Sequence, residues 1–241
     1  MKIVDAVWEK RNLNTKTVEI TLEEADGIEE IKKTLKEQDA SYQVIRVPAS
    51  RYDYNEIMTQ FGFVFIETIC SMKNDMKNLK LDMISERMKS QMVCEIMTSA
   101  DIQVMYKDFE NGIFTTDRIA VDPHFSVELA NKRYIGWIGD ALERGATALN
   151  IYYKNQPAGF VVYKADGDIA DVLLGGMYSD FVTKGIGVAV YSKAYEYIKE
   201  QGIKKTFTAV STNNNSSYRA NMAIGYDVYK FDYIYIKHIE S

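Results

Sequence analysis

A chain of 241 residues with 46% apolar content can bury one large core or two small ones. Its 29 Lys and Arg against 34 Asp and Glu leave a formal charge of −5, which argues against nucleic acid as a partner. No apolar run approaches the ~18 residues of a membrane helix, and Met1-Lys2-Ile3-Val4-Asp5 does not read as a signal peptide. Cys70 and Cys94 sit in apolar or mixed contexts without metal-ligand spacing, so the expectation is reduced thiols and a cytoplasmic protein.

Taken in order, Lys16 to Leu22 alternates as a strand does, and Asp26 to Gln38 is helical, with Ile28, Ile31 and Leu35 at spacings of three and four. Tyr42 to Val47 is a strand ended by Pro48. Asn55 to Phe61 is a short helix stopped at Gly62-Phe63, and Val64 to Ile69 is a strand. Residues 73–97 carry Met76, Met83, Met88, Met92 and Met97 among lysines. Such a stretch reads as a connector packed between two units, with a flexible acceptor-binding wall as the other reading. Ala100 to Phe109 is a helix stopped at Asn111-Gly112. After the segment from Ile113 to Pro123, Ser126 to Leu142 forms a longer helix with Ser126 as its cap. Ala148 to Tyr153 and Phe160 to Tyr163 form a hairpin around Asn155-Gln156-Pro157, and Asp166-Gly167 turns the chain into the strand Ile169 to Met177.

The next six residues, Val182-Thr183-Lys184-Gly185-Ile186-Gly187, join that strand to an amphipathic helix, Ile186 to Gln201. Two glycines one residue apart strip the junction of side chains, and the helix start adds free N–H groups and a positive dipole end. Phosphate can approach such a junction closely, although an ordinary tight turn has the same pattern. Gln201-Gly202 stops the helix, and Thr206 to Val210 is a buried strand. Asn213 to Ser217 caps a short helix that ends at Gly225-Tyr226, and Val228, Phe231, Ile234 and Ile236 close the chain as a strand.

This succession of strand, Gly-x-Gly, helix, strand, Asn, short helix, Gly-aromatic and strand resembles the GNAT acyltransferases. The resemblance implies a GNAT fold, an α/β (α+β) mixed sheet, with acetyl-CoA as co-substrate. In that family the loop cradles the acetyl-CoA pyrophosphate, and an Asn eleven residues before the Gly-aromatic pair contacts the pantetheine arm. The implied cofactor residues are Val182, Thr183, Lys184, Gly185, Ile186, Gly187, Asn214 and Ser217. The backbone N–H of Met177, after Gly175-Gly176, takes the oxyanion by the same resemblance. Two departures stand out. Val182 occupies a position usually Gln or Arg, and Asn221 replaces the Tyr that protonates the departing thiolate. Tyr218, one turn back, is the substitute candidate; a packing tyrosine is the alternative.

The run Asp117 to Pro123, with Arg133-Tyr134 and Trp137, is similar to a GNAT subgroup that pairs an incomplete first half with a complete second one. Its best-known member is a dTDP-fucosamine acetyltransferase, which implies an amino-sugar nucleotide acceptor and substrate contacts at Asp117, Arg118 and Tyr134. The echo between Ile57 to Phe63 and Asn221 to Tyr226 fits this arrangement, with coincidence of a common helix-stop pattern as the other reading. Residues 1–98 are then a degenerate GNAT-like half without a CoA loop, and residues 99–241 the catalytic domain. Asp117, Asp171 and Glu128 are the candidate bases. His124 and His238 read as isolated structural residues, so no metal is expected, and neither a Ser-His-Asp spacing nor a nucleotide-hydrolysing loop is present. The expected reaction moves acetyl from acetyl-CoA to a primary amine of a small acceptor by direct attack. Acetylation of a protein N-terminus or lysine, and a non-catalytic acyl-CoA sensor, are the alternatives. A homodimer is left open.

Overall fold

The computed structural model describes residues 1–77 and 81–239. The chain begins β1 (Lys2–Asp5), α1 (Val7–Asn12), β2 (Thr17–Thr21), α2 (Ile28–Glu37), β3 (Tyr42–Pro48), α3 (Tyr52–Gln60) and β4 (Val64–Asn74). It continues α4 (Met83–Lys89), β5 (Met92–Ile96), α5 (Ser99–Glu110), α6 (Arg118–Val121), α7 (Val127–Glu143), β6 (Thr147–Tyr153), β7 (Gln156–Asp166) and β8 (Ile169–Met177). The last elements are α8 (Gly187–Glu200), β9 (Lys205–Ser211), α9 (Asn215–Ala223) and β10 (Asp227–His238). Among the described residues no helix is long and apolar enough to cross a membrane.

All ten strands form one mixed sheet in the order β1-β2-β3-β10-β4-β9-β8-β7-β6-β5. Strand alternation gives it two buried faces. Along β7, Val161 and Tyr163 pack with Val190, Tyr195 and Ile198 of α8, while Phe160 and Val162 pack with α5 and α7 through Met105, Phe109, Tyr134 and Ile138. Helix α7 spans the molecule, because Ala130 near its start packs with Tyr42, Val44 and Ile234 at the other end of the sheet. Helix starts follow their caps: Thr98 and Asp101 form a capping box on α5, and Ser126 accepts from the Leu129 N–H.

Three details differ from the sequence reading. The β6–β7 turn lies at Lys154 and Asn155, both with positive φ (51° and 63°), so Gln156 and Pro157 already belong to β7. Residues 73–97 hold the end of β4, then α4 and the edge strand β5, with 78–80 outside the described residues. Met76 and Met92 pack in the α8 core and Met97 in the α5–α7 core, whereas Met83 is exposed. Finally β1, α1, α4, β5 and α6 had no sequence signal, since each is too short to show a period.

An internal repeat is visible in the sheet. Moving from Gly62 to Gly225, 163 positions on, carries β3 onto β9, α3 onto α9, and β4 onto residues 227–237 of β10. The strand pairing maps onto itself: Pro48↔Asp232 becomes Ser211↔Ile69, and Lys73↔Asp227 becomes Ile236↔Val64. Both helices end in the same Schellman geometry. The Phe63 N–H donates to the Met58 carbonyl (2.9 Å) and the Tyr226 N–H to the Asn221 carbonyl (3.1 Å), over glycines at φ +76° and +86°. Each repeat sends its last strand into the other: β10 pairs with β3, and β4 with β9. A Cβ at either glycine is strained in the left-handed region. Gly62→Ala and Gly225→Ala should each lower unfolding stability by about 1–2 kcal/mol, read from urea denaturation midpoints at constant slope. An unchanged midpoint in either variant would contradict the equivalence of the two stops.

Candidate active site

Strands β8 and β9 run parallel and pair only at Ile169↔Lys205, Ala170↔Thr206 and Asp171↔Phe207. Beyond a last link, from the Thr208 hydroxyl to the Val172 carbonyl (3.0 Å), they part. Strand β9 stays with β4, and β8 stays with β7. Glycines allow β8 to run so close to its neighbours. A Cβ on Gly175 would lie 2.6 Å from the Tyr191 ring, and one on Gly176 2.6 Å from the Phe160 ring. The Tyr178 N–H donates to the Ala158 carbonyl (3.1 Å), and Met177 pairs with Gly159 one step earlier. Antiparallel alternation therefore turns the Met177 N–H away from β7, toward the edge that β9 has vacated.

Two cavities meet at this opening. The first, of about 520 Å³, is lined by Gly175, Gly176 and Met177 of β8, by Val182, Gly185, Gly187, Val188 and Tyr191, and by Asn214, Ser216, Ser217, Arg219, Ala220 and Ala223 around α9. The loop into it is fixed at its start. The Ser179 N–H and hydroxyl both donate to the Asp108 carboxylate on α5 (2.9 and 2.5 Å). The Lys184 N–H then closes on the Phe181 carbonyl (3.0 Å), and Gly185 turns at φ +70° with open space where a side chain would stand. Gly187 is equally bare: a Cβ there would meet only the Met177 sulfur at 4.0 Å. Ile186 supplies no side-chain cap, and Val190 is the first residue whose N–H finds a helical carbonyl (Ile186, 3.0 Å). The amides of Gly187, Val188 and Ala189 thus remain as donors at the positive end of a 14-residue helix.

Of the eight residues expected at this cavity, Val182, Gly185, Gly187, Asn214 and Ser217 line it. Ile186 is buried in the core and anchors the loop, while Thr183 and Lys184 are exposed outside the lining. Asn214 caps α9, accepting from the Ser217 N–H (2.9 Å), which leaves its own amide donors for the cavity.

The second cavity, of about 330 Å³, shares Phe114, Gly175, Tyr191, Asn214 and Ser217 with the first. Its far wall comes from across the sheet: Arg46 of β3, Glu67 and Ile69 of β4, and Thr208 to Ser211 of β9. Phe114, Tyr134 and Trp137 form an aromatic side, with Phe114 stacked on Tyr134 at 4.3 Å. Asp117, Arg118 and Tyr134, expected from the sequence to contact the acceptor, all line it. Arg118 is nonetheless committed, 2.5 Å from Glu19 and 3.7 Å from Glu9. Arg133 donates to the same Glu9 (2.7 Å), whose carboxylate is 0% exposed. Burial first, and Asp117 beside it, hold the Tyr134 phenol well above its ordinary pKa, so it stays protonated.

Tyr218 lies at neither cavity; it packs against the core beneath α8. Ser217 and Asn221 are four apart and share the cavity face, whereas Tyr218 is turned 100° from Ser217. Asn221 lines the second cavity, but its amide donates to the Ser217 carbonyl (2.9 Å). The tyrosine at the junction is Tyr191, whose phenol burial pushes up to about 12 with partial relief from Ser217. Among the candidate bases only Asp117 reaches the cavity, and it also caps α6; Asp171 and Glu128 are exposed elsewhere. Glu67, missed in the sequence, is 3% exposed, and one of its oxygens, Oε2, has no hydrogen-bond partner among the described residues. Burial raises its pKa above the ordinary value, against a hydrogen bond from Ser211 and the charge of Arg118. A lone carboxylate inside the apolar run Val64 to Ile69 was the available signal. His124 and His238, read as isolated, meet at Asp122.

No family model and no curated protein matches the chain. Solved structures do. A glucosamine N-acetyltransferase region in a fungal multi-domain GH3 β-N-acetylglucosaminidase superposes with TM-score 0.62 at 12% identity, covering 98% of this chain and 31% of that one. A GCN5-related N-acetyltransferase from Sphaerobacter thermophilus gives 0.58 at 12% identity, covering 83% and 60%. A tandem GNAT protein of the clavulanic acid biosynthesis pathway gives 0.55 at 11% identity, covering 93% and 76%. The chain therefore spans about a third of the first structure, 60% of the second and about three quarters of the third. At such identities the likeness is one of architecture, and the architecture is that of the GCN5-related N-acetyltransferases.

Proposed function

We propose that this chain is a GNAT-type N-acetyltransferase that moves acetyl from acetyl-CoA to a primary amine of an amino sugar or amino-sugar nucleotide. One observation carries the reading: two cavities, one under bare helix amides and one walled by acids and aromatics, meet at Gly175 and Tyr191 where β8 and β9 part. The first offers room for the diphosphate of an acyl-CoA, because the space beyond Gly185 is open and a Cβ on Gly187 would meet only the Met177 sulfur at 4.0 Å.

Acetyl-CoA, when bound, supplies the activated thioester. Gly185, Gly187 and the first-turn amides of α8 hold its pyrophosphate, and the Asn214 amide holds the pantetheine arm. The Met177 N–H donates to the carbonyl oxygen as charge gathers there. Glu67 accepts the proton of the acceptor ammonium, its raised pKa bringing it nearer that of its partner. Tyr191, protonated at neutral pH, donates a hydrogen bond to the sulfur in the role expected of Tyr218; as the C–N bond forms and the C–S bond breaks, the sulfur leaves as a thiolate and takes up the second proton, shed by the attacking nitrogen. Holding the two reactants together across the opening supplies a further share of the acceleration.

The acceptor class follows from the second cavity. Phe114, Tyr134 and Trp137 offer aromatic surface to a sugar ring, while Glu67 and Asp117 favour its ammonium. Arg118 and Arg133 are occupied by Glu9 and Glu19, so Arg46 is left to meet an acceptor phosphate; its approach to Asp232 is 4.0 Å. The fungal neighbour's glucosamine activity points the same way. Residues 99–241 form the catalytic domain in this reading and 1–98 its degenerate copy. Tyr54, fully buried, stands at the repeat position of Ser217 and fills the space that Ser217 leaves open. A sensor remains the second reading, because the Asn221 amide is tied to a helix carbonyl where the family places an acid.

CoA release measured with a panel of amino sugars and amino-sugar nucleotides should show saturable turnover. Tight CoA binding with no turnover on any amine would select the sensor instead. Gly187→Glu places a carboxylate in the phosphate position, at a first-turn site where acid otherwise favours the helix. Calorimetry should find CoA affinity more than about tenfold weaker, a loss above about 1.4 kcal/mol. Undiminished affinity would remove the loop assignment. Glu67→Gln should lower kcat by about 10²–10⁴-fold with little change in acetyl-CoA affinity. The base works deprotonated, so wild-type kcat/KM should fall on the acid side as Glu67 protonates, at a pH above the ordinary carboxylate range, and this limb should vanish in the variant. An acid limb that persists would move the base elsewhere.

A further inference from the structure

We propose that Asp122, His124 and His238 form a binding site for a divalent transition metal ion of the zinc class. His124 follows α6 by three residues and His238 ends β10, yet both rings turn to one carboxylate. His124 Nδ1 lies 2.9 Å from Asp122 Oδ1, and His238 Nε2 lies 2.7 Å from Oδ2. The two imidazoles stack at 3.9 Å and 17°, and all the potential ligand atoms fall within 4.8 Å of one another. Ligand atoms about 2.1 Å from a tetrahedral ion stand roughly 3.4 Å apart. Turning the rings out of their stack so that both lone pairs meet one ion, while the ligand atoms close from at most 4.8 Å to that spacing, would convert the arrangement into a coordinated one.

Asp122 is 1% exposed, and its polar partners among the described residues are the two imidazoles and the His124 N–H (3.0 Å). No Lys or Arg pairs with it among those residues, unlike the buried Glu9, which holds two arginines. A divalent ion on two neutral imidazoles and the carboxylate would offset that charge and leave the site with one net positive charge. The nitrogen-rich donor set suits zinc, cobalt or nickel and not calcium or magnesium, which take oxygen. His124 is 59% exposed on its side chain, which gives water access to a fourth position. Tyr42 stacks on the far face of His238 at 4.7 Å and Phe125 packs beside it at 5.4 Å, holding that ring in place.

Asp122 is the C-cap of α6, the four-residue helix whose other end presents Asp117 and Arg118 to the acceptor cavity. A helix that short is not self-supporting. The ion would pin it to β10 and so set the position of the cavity wall, without touching the reaction.

The full-length protein, stripped with a chelator, should take up one Zn²⁺ per chain by calorimetry and melt at a higher temperature once loaded. Co²⁺ should give the visible absorption of a four- or five-coordinate ion. His124→Ala, a change at an exposed side chain, should leave circular dichroism and CoA affinity intact. It should abolish the cobalt band and weaken zinc by more than the 10–100-fold typical of an outer-shell loss, at least about 100-fold. His238→Ala should do the same. Absence of stoichiometric zinc uptake would overturn the proposal, as would uptake that survives both substitutions.

Discussion

The separation of β8 from β9 is the constraint on which everything else in this molecule rests. Parallel strands ordinarily consume each other's main-chain groups along their whole length. Here they do so for three residue pairs, after which β9 follows β4 and β8 follows β7. The main-chain donors of β8 beyond that point face a cavity in place of a strand. Such a gap is tolerable only where something polar can enter it. The same sheet contains the opposite case. Strands β2 and β3 pair through five residues, and the Leu22 N–H still donates to the Arg46 carbonyl (2.9 Å) past the end of β2. Tyr54 closes that end, with its hydroxyl donating to the Asp26 carbonyl (2.6 Å). One repeat is open and the other shut, and the difference lies in a few side chains and in the length of chain between strand and helix.

The exchange of terminal strands means that the open end is not built by one repeat alone. Because β4 lies between β9 and β10, Glu67 reaches the second cavity from the first half of the chain, and β3 brings Arg46. The shut repeat therefore supplies part of the cavity wall to the open one. It also supplies rigidity. Glu9 on α1 is fully buried and is balanced by Arg118 of α6 and Arg133 of α7, joining three helices around a single carboxylate. Loss of Glu9 would leave two largely buried guanidiniums one carboxylate short, which couples the three helices.

What the sequence reveals of this architecture is what local rules govern. The Gly-x-Gly junction, the Ser126 and Asn214 caps and the two Gly-aromatic stops all depend on neighbours within a few residues, and all appear where the pattern puts them. Contacts across the chain obey no such rule. Nothing in the spacing of Asp122 and His238, 116 residues apart, announces that they touch. Glu67 becomes visible as a site residue only once β4 is known to border β9. Tyr218 and Tyr191 show the intermediate case. Helical periodicity leaves Tyr218 a neighbour of Asn221, and only the packing of α9 shows that it turns into the core; choosing Tyr191 requires knowing that α8 crosses Gly175.

That crossing also shapes the junction itself. Tyr191 enters it from α8 and takes the volume beside Gly175, where even a single added carbon would lie 2.6 Å from its ring. The glycine on β8 and the tyrosine on α8 thus form one fitted pair: removal of the side chain on the strand admits the phenol from the helix, and the phenol in turn borders both cavities. Asn221 of α9 lines only the second of them, and its bond to the Ser217 carbonyl holds its amide against its own helix.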